Sequence, residues 1–200
     1  MSTPIKVMTF NMRISTPVDG DNWFRNRKPK IAEVIRRENP DIIGFQEVNE
    51  EMQDFLTETF PEYIILGHGR KENYSWEGTP IAFRKSRFLL HTFRERWLSL
   101  EEDLPGSRLH GMGQSDCPRV LICAELIDRT NYKPFSFYNG YLFISFLWYR
   151  TLFFPLQYLC NTVFWDWGVF WNSRVHPQRV PMHLQICRIL SRVFLRFRAR

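Results

Sequence analysis

The order of apolar and polar positions divides the first 139 residues into short, regular units. Ile5-Lys6-Val7-Met8-Thr9-Phe10 alternates and is rich in strand formers, which predicts a strand ending at Asn11. Pro17, Asp19 and Gly20 give the stretch Ser15 to Asn22 turn chemistry. A helix is predicted from about Arg27 to Glu38, with Ile31, Val34 and Ile35 on one face. Pro29 falls in its first turn, where amides lack intrahelical partners, and Asn39-Pro40 stops it. Asp41-Ile42-Ile43-Gly44-Phe45-Gln46-Glu47-Val48 is largely apolar, the mark of a strand covered on both faces. A second helix is predicted from about Glu50 to Thr59, where Met52, Phe55, Leu56 and Thr59 share a face, with Pro61 after it. Strands follow at Tyr63–Leu66, Pro80–Phe83, Phe88–Trp97, Val120–Leu126 and Pro134–Tyr138. Strand–helix–strand followed by strands in succession predicts α/β or α+β layering, with helices packed on a sheet.

Composition changes that picture at one point. Over 200 residues, 44% hydrophobic and 24% charged are ordinary globular values, and none of the four cysteines forms a Cys-x-x-Cys pair that would suggest a zinc ribbon. The net charge of +6 would suggest a nucleic-acid or membrane partner if it were spread along the chain. It is not. Residues 1–139 hold 19 Lys+Arg against 20 Asp+Glu, net −1, whereas residues 140–200 hold 8 Arg, no Lys, no Glu and only Asp166, net +7. The charge of residues 1–139 therefore gives no support to a nucleic-acid partner. Met1 to Lys30 lacks the apolar run of a secretory signal, so a cytoplasmic location is the expectation.

Two polar residues stand at the ends of buried strands, Asn11 and Glu47. Strands joined by a helical crossover end on the same sheet edge, so these side chains should converge at the carboxyl edge, where α/β sheets bind ligands. A carboxylate there suits magnesium, which takes few protein ligands and completes its shell with water and phosphate oxygens. The plainer alternative is a solvated strand end and the start of a turn.

The wording of these segments resembles the endonuclease/exonuclease/phosphatase family. Thr9-Phe10-Asn11-Met12-Arg13, Pro40 through Val48, and Pro80-Ile81-Ala82-Phe83-Arg84-Lys85-Ser86-Arg87-Phe88 carry the likeness. Trp97-Leu98-Ser99, Pro105-Gly106-Ser107, Pro118-Arg119 and Phe137-Tyr138-Asn139 continue it in order over about residues 4–139. The resemblance implies part of a four-layer α-β-β-α sandwich, with the C-terminal half missing or replaced. It also implies hydrolysis of a phosphoester with Mg2+ or Mn2+, on a substrate whose class stays open. Position by position, it implies Glu47 as metal ligand, Asn11 as its active-site neighbour and Arg119 near the substrate, a plain surface arginine being the alternative for Arg119. Trp76-Glu77-Gly78, in the loop before the Pro80 strand, would lie near the cleft.

The later family motifs are not found. Tyr141 stands where the first histidine after Asn139 is expected. Gly20-Asp21-Asn22 has the wrong context for the later Gly-Asp-x-Asn, and neither His176 nor His183 follows an aspartate. His68, His91, His110 and Asp116 form no constellation by spacing and read as surface or loop residues. This chemistry needs a metal, a base for water and donors for the developing charge. The expectation is therefore an impaired or inactive hydrolase.

Residues 141–171 hold 13 aromatic residues. Arg150 splits the best apolar window, and Pro155, Gln157, Asn161 and Asp166 interrupt the rest. Arg188, Arg192 and Arg196 recur every four residues, as in a basic interfacial helix. Three readings of residues 140–200 stay open: a slipped reading frame without independent function, a tail that binds a membrane or a partner, and a divergent second half.

Overall fold

The computed structural model describes residues 4–109 and 117–140. Tyr141, His176, His183, the aromatic and arginine-rich segments, His110 and Asp116 lie outside the described residues, and with them all three readings of the tail.

Strand β1 (Val7–Asn11) leads through a short 3-10 segment (Pro17–Asn22) into α1 (Phe24–Glu38), and β2 (Ile42–Gln46) returns parallel to β1 with Asn11 opposite Gln46. After α2 (Glu50–Thr59) come β3 (Tyr63–Leu66), β4 (Ile81–Arg84), β5 (Phe88–Trp97), β6 (Val120–Asp128) and β7 (Pro134–Gly140). One sheet has the order β1-β2-β4-β3, the other β5-β6-β7, antiparallel throughout. The mixed α/β class expected from the sequence is therefore observed, and the described residues supply an α-β-β stack.

Strand β2 shows why that stack forms. All five of its residues are buried. Ile43 and Phe45 pack with Phe24, Ile31, Ile35, Met52 and Leu56 on the helical side. Ile42 packs with Ile81, Phe83, Phe88, Ile122, Leu126 and Phe137 between the sheets. The period-2 alternation of a strand thus feeds two cores at once. Burying each of these large side chains contributes about 1.5–3 kcal/mol.

The helix ends follow the chemistry of their caps. Asn49 Oδ1 accepts the Met52 amide at 3.1 Å to start α2, and Glu50 and Glu51 occupy its first turn, where the dipole favours acids. Asn39 closes α1 in the left-handed region (φ 47°), its amide donating to Ile35 O. The α1 start differs from expectation. The helix begins at Phe24, three residues before Arg27, because Phe24 is fully buried and meets Phe55 of α2 edge-on at 5.5 Å. Pro29 is consequently the sixth helical residue and leaves the Arg25 carbonyl without its usual amide donor. Among the described residues no helix is long and apolar enough to cross a membrane.

Candidate functional site

The parallel pairing of β1 and β2 brings the two strand-end residues together. Asn11 Nδ2 donates to Glu47 Oε1 at 3.0 Å, and the Ile14 amide donates to Glu47 Oε2 at 3.3 Å. Glu47 is half-buried with both oxygens hydrogen-bonded, while Asn11 is exposed. The Glu47 backbone lies at φ 58°, a conformation that costs a non-glycine residue about 1–3 kcal/mol and persists only where its surroundings enforce it.

Those surroundings are visible on both sides. The residues before Glu47 are locked by a buried amide network: Asn139 Nδ2 donates to Phe45 O (2.7 Å) and reaches Thr79 O (2.9 Å) and Pro80 O (3.1 Å), while Gln46 Nε2 donates to Asn139 Oδ1 (3.1 Å). This network ties β7 of one sheet to β2 of the other directly beneath the strand end. On the β1 side, Asn11 Oδ1 accepts the Arg13 amide at 2.8 Å. The Arg27 guanidinium donates to Met12 O and Arg13 O at 2.8 and 3.0 Å, pinning the loop after β1 to the first turns of α1. Arg13 itself forks onto Asp19 with two 3.0 Å contacts. The hydrogen bond between them raises the arginine pKa and holds the Asp19 carboxyl below the usual carboxylate range.

Beside Glu47 a small cleft is lined by Arg70, Glu77, Gly78, Thr79, Pro118 and Arg119. Arg119 is 7% exposed, which corrects the surface-arginine alternative: the residue is buried in the cleft wall. Arg70 is equally buried and forms an ion pair with Glu77. Burial pushes the Glu77 carboxyl up, and the charge of Glu47 acts the same way, while Arg70, Arg119 and Arg13 oppose the rise. The Trp76-Glu77-Gly78 stretch therefore does reach the cleft, through Glu77 and Gly78. His68 and His91 are not part of its lining; their side chains are 59% and 60% exposed and pair with Glu95 and Glu125. Arg70 carried no signal in the sequence, since its position follows from the fold of the loop between β3 and β4. Asn139 stood in a recognised motif, yet its inter-sheet bonds could not be read from one strand.

The donor set suits a sparsely ligated hard cation. Glu47 offers a carboxylate, and Glu77 places a second in the same cleft. Among the described residues no group of three or more His, Cys, Asp or Glu forms a protein cage. Magnesium is usually held by one or two carboxylates together with water and substrate phosphate, so these residues fit it.

No family model matches the chain. An uncharacterised protein of Acanthamoeba polyphaga mimivirus is 28% identical over 122 residues, covering 58% of this chain and 45% of that protein. An endonuclease/exonuclease/phosphatase from Bacteroides vulgatus superposes with TM-score 0.67 at 27% identity, covering 70% of this chain and 53% of its own. A mannosyl-6-phosphatase from Bacteroides thetaiotaomicron superposes with TM-score 0.64 at 22% identity, covering 70% and 52%. The chain thus spans about half the length of the proteins it matches. The described part of this chain has the fold of the endonuclease/exonuclease/phosphatase family.

Proposed function

We propose that the chain represents the leading half of a divalent-metal-dependent phosphoester hydrolase and binds a phosphate ester without turning it over efficiently. The observation that carries this reading is the 3.0 Å bond from Asn11 to Glu47 at the carboxyl edge of two parallel strands, beside a cleft walled by two buried arginines. In this reading Glu47 is the metal ligand, and Asn11 and the Ile14 amide fix the direction of its lone pairs. Mg2+ or Mn2+ would polarise a phosphoryl oxygen there. Arg119 and Arg70 place positive charge on the cleft wall where phosphate oxygens lie, and Arg119 is the residue we assign to the substrate. Their burial strengthens that interaction, because the effective dielectric there is lower than in water.

Turnover additionally needs a base for the attacking water. Tyr141 takes the place of the family histidine and the later motifs are not found, which supports a low or zero rate. The net charge of −1 over residues 1–139 favours a small phosphate ester over a polyanionic nucleic acid.

Two measurements on the full chain test the proposal. Mn2+ binding followed by electron paramagnetic resonance should weaken at least tenfold in Glu47→Ala; equal binding by the two proteins would overturn the metal role. Bis-p-nitrophenyl phosphate should be hydrolysed little or not at all. Brisk metal-dependent hydrolysis abolished by Glu47→Ala would refute the impairment while keeping the site.

A further inference from the structure

Two large aromatic side chains, Tyr74 and Trp76, are 46% and 50% exposed on the loop between β3 and β4. They are nevertheless held in place. The Gly69 amide donates to Tyr74 O and the Tyr74 amide to Lys71 O, both at 2.9 Å, and Arg70 N reaches Glu77 O at 3.1 Å. The Gly78 amide then fastens the loop to Val48 O at 2.7 Å, one residue past Glu47. Gly69 passes so close to the returning chain that a Cβ there would lie 2.1 Å from the Ser75 carbonyl oxygen. Tyr74 and Trp76 both adopt left-handed backbone, at φ 61° and 74°, which bulky side chains avoid.

Each ring is also oriented by a neighbour. Tyr74 stands edge-on to His68 at 5.5 Å and to the buried Trp97 at 5.9 Å. The Lys71 ammonium lies 4.6 Å from the centre of the Trp76 ring. The loop thus spends backbone strain to hold two oriented rings and a cation between Arg70 and Glu77, both of which line the cleft. Trp76 directly precedes Glu77, which lines the cleft with Arg70 and Arg119.

We propose that Tyr74, Trp76 and Lys71 form a subsite for the alcohol portion of a phosphate ester whose alcohol carries a ring, as in a hexose phosphate or a nucleoside monophosphate. This deepens the phosphate-ester reading and rests on it. A phosphate against Arg119 leaves the attached ring next to the loop, where an aromatic face offers apolar area with a defined orientation. Stacking of a base on an aromatic side chain is worth about 1–3 kcal/mol, and the apolar face of a sugar ring uses the same surface. The Lys71 ammonium adds an attraction for the ester's remaining negative charge.

Isothermal titration calorimetry on the full chain with Mg2+ tests this, using inorganic phosphate, glucose 6-phosphate and AMP as probes. Trp76→Ala should weaken at least one ring-bearing phosphate by about tenfold, on the stacking energies above, and leave inorganic phosphate unchanged. Trp76→Phe should recover most of the loss, and Tyr74→Ala should act in the same direction as Trp76→Ala. Glu47→Gln should weaken all three probes. A loss confined to AMP assigns the platform to a base, and one confined to glucose 6-phosphate assigns it to a sugar. If inorganic phosphate binds but Trp76→Ala changes all three probes alike, or none, the subsite is refuted and the phosphate site stands. If the unaltered chain binds none of the three, both readings fall together.

Discussion

One side chain, Asn139, makes the polar link between the two sheets, and a double-mutant cycle exposes it. A Cβ added at Gly44 would lie 2.7 Å from Asn139 Oδ1 and 2.9 Å from its Cγ, inside any real contact distance. Asn139 cannot step aside, because its amide nitrogen spans three backbone carbonyls and its oxygen receives Gln46. Gly44→Ala should therefore cost about 1–3 kcal/mol, the usual range for overpacking. Asn139→Ala removes the donor from Phe45 O and Thr79 O, while Pro80 O retains the Phe45 amide at 2.9 Å. Two buried acceptors at about 1–3 kcal/mol each, plus a small cavity, give a loss of roughly 3–5 kcal/mol. In the double variant the new methyl enters the space the amide has vacated. The combined loss should then fall short of the sum by about 1–3 kcal/mol, which urea unfolding of the four proteins measures directly. Additivity within about 0.5 kcal/mol would mean that Gly44 and Asn139 do not constrain each other, and the account of the inter-sheet junction would fail.

Three further perturbations follow from particular contacts. Arg87 joins Asp41, just before β2, to Asp128, at the end of β6, and Arg87→Ala should cost about 3 kcal/mol by leaving the buried Asp128 and half-buried Asp41 carboxylates without this cation, as read from the shift in urea midpoint. Burial pushes the Asp128 carboxyl up, but bonds from Thr130 and the charge of Arg87 outweigh it and hold its pKa low. Its contribution is thus full above the ordinary carboxylate pKa and lost as pH falls through the lowered one, so the acid-unfolding midpoint of Arg87→Ala should lie at higher pH. Burial pushes the Tyr63 phenol and the Cys123 thiol up to about 12, so the folded chain binds both protons more tightly. Stability should therefore fall as pH rises from about 9 to 12, and the gap between the unaltered chain and Tyr63→Phe should narrow over the upper part of that range; a constant gap would contradict it. Pro29 is exposed within α1, so Pro29→Ala should raise stability by about 1–3 kcal/mol, with an unchanged thermal midpoint as the contrary result.

Much of the fold was legible because its signals were local. Helix α2 and strands β3 and β5 fall where the pattern of apolar positions placed them, since the apolar face of α2, Pro61 after it and the runs of strand formers act within a few residues. The start of α1 was not, because what extends the helix to Phe24 is a contact with Phe55, thirty-one residues away, and Pro29 offered a local signal for a later start. The insertion of β4 between β2 and β3 is likewise a pairing choice that no single strand records. The strand-end pair was legible for a topological reason: a helical crossover returns the chain parallel, which forces Asn11 and Glu47 to one edge. Arg70 and Asn139 reach the site through a folded loop and through a partner strand 93 residues from Gln46, and neither distance is encoded in spacing.

That contrast also separates the charge of the chain from the charge of the site. The chain carries +6, all of it beyond residue 139, yet the cleft holds two carboxylates, Glu47 and Glu77, against two guanidiniums, Arg70 and Arg119, for a formal sum of zero. A neutral cleft has little reason to take a bare dication or a bare phosphate dianion. On the proposed reading it would accommodate both together, because their charges cancel and each supplies the partner that desolvation would otherwise deny the other. By linkage, the factor by which the metal raises affinity for the phosphate must equal the factor by which the phosphate raises affinity for the metal. The conformationally strained Glu47, held by Asn11 on one side and by the Gln46–Asn139 network on the other, is where the two requirements meet. The phosphate-handling reading therefore rests on the Asn11–Glu47 pair beside a cleft of four balanced charges, and not on an excess of positive charge.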